Sequence, residues 1–384
     1  QKQKTGGYVM IFWLKQIIKM LFQQLILPAV YNVHAMKPVI PGTVILADAH
    51  HSEIPFSMLA IREELLTHPE LQITEMYWNN NSDSPLKVFQ NMTSFMKKYA
   101  SAETVIICDN FLPAASCKKR SETQVIQLWH ACGAFKKFGY DTDADIPSYY
   151  VGNVMANCNI ATVSSEICVK PFASAMKLPE DRILPVGVSR TDMYFNNSFN
   201  QHCREQFFQQ HPEAQDKKIV LWAPTFRGKP GSAQVCGLED VLKAQERLRD
   251  THYFIIKLHP HSQLHTQGTN CSIPSEELLP VADVVITDYS SILFDAMIYK
   301  LPIILFAPDL KEYVDNRGFY LDYFTLPGIL VRDSEHIVQT LSDEAALDAS
   351  IDQHYFEFFE QYMAACDGHS TQRIIDYITK PQNN

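Results

Sequence analysis

The chain has 384 residues, 46% of them apolar and 20% charged, an ordinary globular balance and enough chain for two domains. A formal net charge of −10 argues against a broad nucleic-acid surface, so any phosphate the chain handles needs a local cluster of cations. Nine cysteines without a CxxC pair argue against a zinc ribbon or thioredoxin motif and read as free thiols of a reducing compartment.

The N-terminus differs from the rest. Residues 1–47 carry Lys2, Lys4, Lys15, Lys19 and Lys37 and no Asp or Glu, against the overall sign. The chain opens on Gln1, and Met10 reads as its natural start. Over residues 10–27, Lys15, Gln16, Lys19 and Gln23 fall on one face at helical spacing, with Ile11, Phe12, Leu14, Ile18, Leu21, Phe22 and Leu25 around the remainder. Two lysines interrupt this stretch, which makes it a poor spanning helix and a reasonable interfacial one on an anionic membrane surface. The competing reading is a helix packed on the protein's own core. No small-residue cleavage site precedes Pro28, which argues against a signal peptide. Residues 1–37 are therefore set apart as a basic amphipathic segment.

Thr43–Ala47, ending at Asp48, has the apolar pattern of a buried parallel strand. Ile54–Leu66 reads as a helix, Leu71–Tyr77 as a strand, Ser84–Tyr99 as a helix, and Thr104–Cys108 and Val125–Leu128 as strands. A second series begins near residue 217: strand Ile219–Trp222, helix Leu238–Arg249, strands Tyr253–Lys257 and Val284–Thr287, helix Ser291–Tyr299 and strand Ile303–Phe306. The polar stretch 195–216 is the expected boundary, which gives halves of 38–200 and 201–384. Alternating strands and helices predict an α/β fold of two doubly wound, Rossmann-like parallel-sheet domains facing a cleft, with ligands at the strands' carboxyl ends.

Candidate chemistry gathers at those strand ends. Asp288, Ser290 and Ser291 follow the strand before a helix, where backbone N–H groups and hydroxyls suit phosphate, although plain capping explains the pattern equally. His130 ends another strand and is a candidate general base, with Ala131, Cys132, Gly133, Ala134 and Lys136 after it; a structural histidine is the competing reading. Lys257 and His259 lie on one side of a strand end, separated by Leu258, and together suit a transferring phosphoryl group. Pro224, Thr225 and Arg227 follow Trp222, and Arg190 sits in a turn between the halves; either arginine can clamp an anion. His259 and His261 lack an obvious third ligand, so no metal is expected. Asp141–Asp145 begins like a calcium loop, but Ile146 stands where glycine is needed and Gly152 where glutamate is needed, so it reads as a solvated loop. GxGxxG, GxxxxGK[ST] and GxSxG are all missing from the sequence, which removes support for a nicotinamide enzyme, a P-loop kinase and an elbow hydrolase.

Six segments in order resemble the CDP-glycerol glycerophosphotransferases of teichoic acid and capsule synthesis: WHACGAFKKFG (129–139), GVSRTD (187–192), APTFR (223–227), KLHP (257–260), TDYSSILFD (287–295) and DLKEYVDNRGFYLDY (309–323). The resemblance covers roughly residues 100–375. It implies a GT-B-like fold with the nucleotide held mostly by the C-terminal half, and transfer of glycerol phosphate from CDP-glycerol to an acceptor hydroxyl with release of CMP. By matching position, His130 is the base, and Lys257 and His259 neutralise the diphosphate. Arg190, Pro224, Thr225, Ser290, Ser291 and Asp295 surround the donor, with Arg317 and Glu312 as outer companions. Trp129-His130-Ala131-Cys132-Gly133-Ala134 replaces the Trp-His-Gly-Thr-Pro of many members, a form more like the short primer-adding enzymes. Such an enzyme works peripherally on the cytoplasmic face of the plasma membrane, without cofactor or metal, on an undecaprenyl-diphosphate-linked saccharide. A poly(glycerol or ribitol phosphate) polymerase, a UDP-sugar transferase of the same fold and a non-enzymatic membrane scaffold remain as alternatives, and the sequence fixes no oligomeric state.

Overall fold

A computed structural model describes residues 16–17, 20–143, 145–146, 150–225, 227, 235–258 and 271–379. Six strands form the first sheet: β1 Ile40–Asp48, β2 Gln72–Tyr77, β3 Ala102–Ile107, β4 Gln124–Gln127, β5 Ile160–Thr162 and β6 Ile183–Leu184. Five form the second: β7 Lys218–Ala223, β8 His252–Ile256, β9 Val284–Thr287, β10 Ile303–Phe306 and β11 Ile329–Val331. The orders are β2-β1-β3-β4-β5-β6 and β11-β10-β9-β7-β8, and the paired strands within each sheet run parallel. The chain therefore reverses its winding direction between β1 and β3, and again between β7 and β9. Crevices open at such switch points, beyond the strands' carboxyl ends.

Alternation along the strands explains the layers. In β1, Val44 and Leu46 enter a core with Met58, Ile61 and Leu65 of the helix Phe56–Leu65. Ile45 and Ala47 face the opposite side with Phe95 and Tyr99 of the helix Pro85–Tyr99. Ser84 starts that second helix by accepting the Lys87 N–H at 3.3 Å, with Pro85 at its first position. In the second sheet Val220, Trp222, Val284 and Ile286 pack with the helices Leu238–Leu248 and Ser334–Ser342, while Leu221 and Val285 face the other way. Each fully buried aliphatic side chain of this kind contributes about 1.5–3 kcal/mol.

The polar stretch 195–216, the expected boundary, holds the helix Asn197–Gln210. Asn196 caps it, accepting the N–H groups of Ser198 (2.9 Å) and Phe199 (3.2 Å), and Cys203 and Phe207, four residues apart, bury its inner face. The final helix, Ser370–Thr379, returns to the first sheet, where Ile374 and Ile375 join the core of Val44 and Leu46. Gly187, with φ +94°, permits that return, because a Cβ there would strike Ser370 and the Ala365 carbonyl. A single cut at residue 200 therefore does not separate the packing of the two sheets.

At the N-terminus the helical segments Phe22–Ile26 and Leu27–His34 bury Gln23, Leu27 and Tyr31, spaced four apart, and Gln23 donates to the Tyr150 hydroxyl at 2.9 Å. This corrects the expected polar face: Gln23 points inward, and Leu21, Leu25, Val33 and Met36 are exposed instead. Lys15 and Lys19 lie outside the described residues. No helix among the described residues is long and apolar enough to cross a membrane.

Candidate active site

A cavity of about 200 Å³ opens at the carboxyl ends of strands from both sheets. From the first sheet comes His130, three residues beyond β4. The second sheet supplies Pro224 after β7, Lys257 and Leu258 after β8, and Ser290 and Ser291 after β9. Arg190 and Asp295 close one side.

His130 is presented by an unusual backbone. Trp129 adopts φ +58°, a region costly for a bulky side chain, and its N–H donates to the Gln127 side-chain oxygen at 3.0 Å. The Trp129 ring is 7% exposed and packs on Phe138 and Phe172, which fixes the strained turn. It also stacks on the His130 imidazole at 4.5 Å. The His130 Nδ1 lies 3.3 Å from the Cys108 carbonyl and 3.5 Å from an Asp109 carboxylate oxygen, an arrangement that orients the ring for proton transfer at its other nitrogen.

The residues after His130 turn inward. Cys132, Gly133 and Ala134 are buried and Ala131 is half-buried, so these four do not line the cavity. Gly133, with φ +66°, lets the Phe294 ring lie against the backbone, where any Cβ would collide with it, and its N–H donates to Ser164 at 2.9 Å. Cys132 supports Arg190, whose Nη2 lies 3.7 Å from the thiol sulfur.

Arg190 and Asp295 form a buried ion pair. One guanidinium nitrogen donates to both Asp295 oxygens at 2.9 Å, and another donates to the Tyr194 hydroxyl at 3.0 Å. Burial raises the Asp295 carboxyl pKa, against the pull of the guanidinium. Among the described residues the buried Arg190 Nε has no hydrogen-bond partner, and neither does the buried Thr225 hydroxyl. Leaving such groups unsatisfied costs about 1–3 kcal/mol each, and a ligand oxygen would satisfy either.

Several expected ligand contacts are engaged within the protein. Arg227 donates to both Asp309 oxygens and to Asp288, and lies 4.8 and 4.9 Å from the stacked rings of Tyr289 and Tyr313. Asp288 accepts the Thr225 N–H at 2.8 Å and an Arg227 N–H at 2.9 Å, tying the end of β9 to the end of β7 across the switch point. These hydrogen bonds of both residues are made to protein groups. Arg317 donates to both Asp145 oxygens at 3.0 Å and to the Lys137 carbonyl. Asp141 accepts from Ser174 and Tyr320, so Asp141 and Asp145 are held by protein partners rather than merely solvated. Glu312 is exposed on the helix Leu310–Asn316 and does not line the cavity. His259 lies outside the described residues.

Lys257 brings positive charge to the cavity wall, whereas Lys136 is not among the residues that line it. Lys257 is half-buried and donates to the Cys271 carbonyl at 3.1 Å, and burial lowers its pKa. Burial, and then repulsion from Arg317 and Arg227, push Lys136 down to about 8. Ser291 occupies the N-cap position of the helix Ile292–Ile298 without a side-chain capping bond, and the Ser290 hydroxyl lies 3.4 Å from the Ile292 N–H. All nine cysteines are free thiols. Among the described residues no group of three or more His, Cys, Asp or Glu is placed to hold a metal ion. Sequence reasoning missed Tyr194 and Glu276 of the cavity wall. Tyr194 stands four residues after Arg190, a spacing that offered a signal; Glu276 stands in no recognisable motif.

Residues 29–380 match the family model described as CDP-glycerol:poly(glycerophosphate) glycerophosphotransferase. The chain is 30% identical to the teichoic acid ribitol-phosphate primase of Bacillus spizizenii over 90% of its own length and 92% of the relative's. It is 31% identical to the teichoic acid glycerol-phosphate primase of Bacillus subtilis over 71% of its length and 73% of the relative's. The solved structure of the wall teichoic acid polymerase TagF superposes with a TM-score of 0.73 at 19% identity, covering 95% of each chain, a likeness of fold.

Proposed function

The chain belongs to the CDP-glycerol:poly(glycerophosphate) glycerophosphotransferase family, and from that premise we propose that it transfers glycerol phosphate from CDP-glycerol to a hydroxyl of a lipid-linked saccharide. CMP leaves, and the product is a primed lipid of wall teichoic acid or a related polymer. The observation that carries this reading is the cavity that sets His130 opposite Lys257, Ser290 and Ser291. In the step, His130 takes the acceptor hydroxyl proton as the oxygen attacks the glycerol-bearing phosphorus. The new P–O bond forms as the bond to the bridging diphosphate oxygen breaks, and that oxygen departs on CMP. Lys257, Lys136, the two serine hydroxyls and the Arg190 Nε offset the phosphate charge, with His259 assigned to the same task by its place in the KLHP segment. Phosphoryl transfer needs this placement and fixed charge more than covalent help. The first-sheet side, which includes the returning helix Ser370–Thr379, takes the acceptor, and the second-sheet side takes the donor across the cleft between them.

Primer addition is favoured by the likeness to two primases, one of them over 92% of its length. That same relative, named for ribitol phosphate, favours CDP-ribitol as a second donor reading. Attachment to the cytoplasmic membrane face is supported by the exposed Leu21, Leu25, Val33 and Met36, joined by Leu86 and Phe89 of the neighbouring helix. Incubation with labelled CDP-glycerol and, separately, CDP-ribitol, each with a lipid-diphosphate disaccharide, tests the proposal: CMP release with label on the lipid supports it. Transfer from a UDP-sugar alone would overturn it.

A further inference from the structure

The first sheet has its own switch point, between β1 and β3, and it holds a group of side chains that the donor cavity does not use. Asp48 ends β1 and is 2% exposed. One of its carboxylate oxygens accepts the backbone N–H groups of His50 and His51, both at 2.8 Å, and the His51 Nδ1 at 2.9 Å. The Cys108 thiol approaches its other oxygen at 3.9 Å. Burial works to raise the Asp48 carboxyl, but these hydrogen bonds outweigh it and hold the group below the usual carboxylate range. An ionised carboxylate only accepts, so Nδ1 carries the proton and Nε2 is presented outward. The His51 side chain is 58% exposed despite this fixed attachment. An oriented imidazole on a buried carboxylate is the arrangement that aims a ring at a ligand.

The surroundings say which ligand. Asp109, one residue beyond Cys108 at the end of β3, lies 3.5 Å from His130 and also acts on the charge of His51. Glu276, across the cavity in the helix Ser275–Leu278, acts on it as well. Carboxylates thus dominate the charge around His51, Asp48 in direct contact and Asp109 at the neighbouring strand end, and Lys257 stands on the second-sheet side of the donor cavity. A phosphate would be repelled here, and a neutral hydroxylated molecule would find both donors and acceptors. The ends of β1 and β4 are two strand spacings apart, about 10 Å, so a bound polyol unit reaches from His51 toward His130.

We propose that His51, held by Asp48, forms the acceptor subsite, binding a neutral saccharide or alditol hydroxyl group beside the one that His130, with Asp109 at its side, deprotonates. This rests on the transferase reading and adds to it the residues and the substrate chemistry of the acceptor side. His51 touches substrate, and Asp48 is a positioning residue that acts through it.

The test uses the full chain, a short-chain isoprenyl-diphosphate disaccharide and CDP-glycerol. His51→Ala is expected to raise the acceptor KM about tenfold or more, the scale of one lost hydrogen bond in a desolvated site, and to leave the donor KM within about twofold. His51→Gln keeps a hydrogen-bonding group and is expected to recover part of the loss. Asp48→Asn is expected to raise the acceptor KM in the same direction and to lower the His51 pKa read by NMR. Ring ¹⁵N resonances of His51 in the unmodified protein should move on adding the disaccharide and stay fixed with CDP-glycerol. A raised donor KM, an unchanged acceptor KM or a ring that answers only to CDP-glycerol would overturn the subsite. Should the protein transfer nothing from either CDP-alditol, the transferase reading falls while the NMR titration still decides the subsite.

Discussion

Replacing Asp295 by asparagine isolates the energetics of the buried pair with Arg190. The side chains are 4% and 8% exposed and meet at 2.9 Å. At an effective dielectric near 20 their attraction is about 6 kcal/mol, and desolvating each ion costs several kcal/mol in opposition, so the intact pair is close to neutral against an apolar substitute. The asymmetry appears when one partner goes. An amide cannot balance the guanidinium, which keeps Tyr194 and Cys132 but no counter-charge. Asp295→Asn is therefore expected to lose about 3–5 kcal/mol of unfolding free energy in urea or guanidinium denaturation. Arg190→Met combined with Asp295→Leu should regain most of it. A single variant that loses less than about 1 kcal/mol, or a double variant no better than the single one, would refute the claim that the pair is desolvated and mutually dependent.

His130→Ala is expected to lower turnover about 100-fold or more while near-native circular dichroism is retained; an unchanged rate removes the histidine from the mechanism. Gly133→Ala should destabilise the fold by about 2–4 kcal/mol, combining left-handed strain with overpacking on Phe294, as read by thermal or chemical unfolding. Burial pushes the Lys136 ammonium down to about 8, and a diphosphate held close to it would raise that value. Donor binding should therefore take up a proton between about pH 8 and the bound value and weaken as pH rises through about 8, measured by calorimetry in two buffers; Lys136→Met should abolish the uptake. The Asp48–His51 bond raises the histidine pKa, so its contribution is full below the ordinary value near 6.5 and is lost as pH rises through the higher folded value. His51→Gln should cost more stability at pH 5.5 than at pH 9.

The parts of the fold legible in sequence were those whose burial is continuous. Val284–Thr287 and Ile303–Phe306 match their apolar runs residue for residue, and the helix Pro85–Tyr99 announced itself through Ser84 and Pro85. The short strands β5, β6 and β11 have two or three residues each, too few for a period to register. The helix Asn197–Gln210 was hidden because Cys203 and Phe207 are its only buried residues. Local motifs marked His130, Lys257, Ser290 and Ser291, which share the cavity, but could not say which charges the protein uses internally. Arg227 and Asp288 read as ligand groups because their bond to each other spans 61 residues of sequence, and the arginine's bond to Asp309 spans 82. The cluster of Asp48, His51 and Asp109 gave no signal, since the ends of β1 and β3 meet there only after the sheet is wound.

The returning helix Ser370–Thr379 bears on how the chain survives a break. A protease that nicks the polypeptide just before β7 severs one covalent route between the sheets, yet Ile374 and Ile375 still plug the first sheet from the far end of the sequence. The Thr371 N–H and the Ser370 N–H hold Asp192 across the same seam. The two fragments should therefore co-purify as a noncovalent pair, and removing the ten residues of that helix as well should weaken the pair.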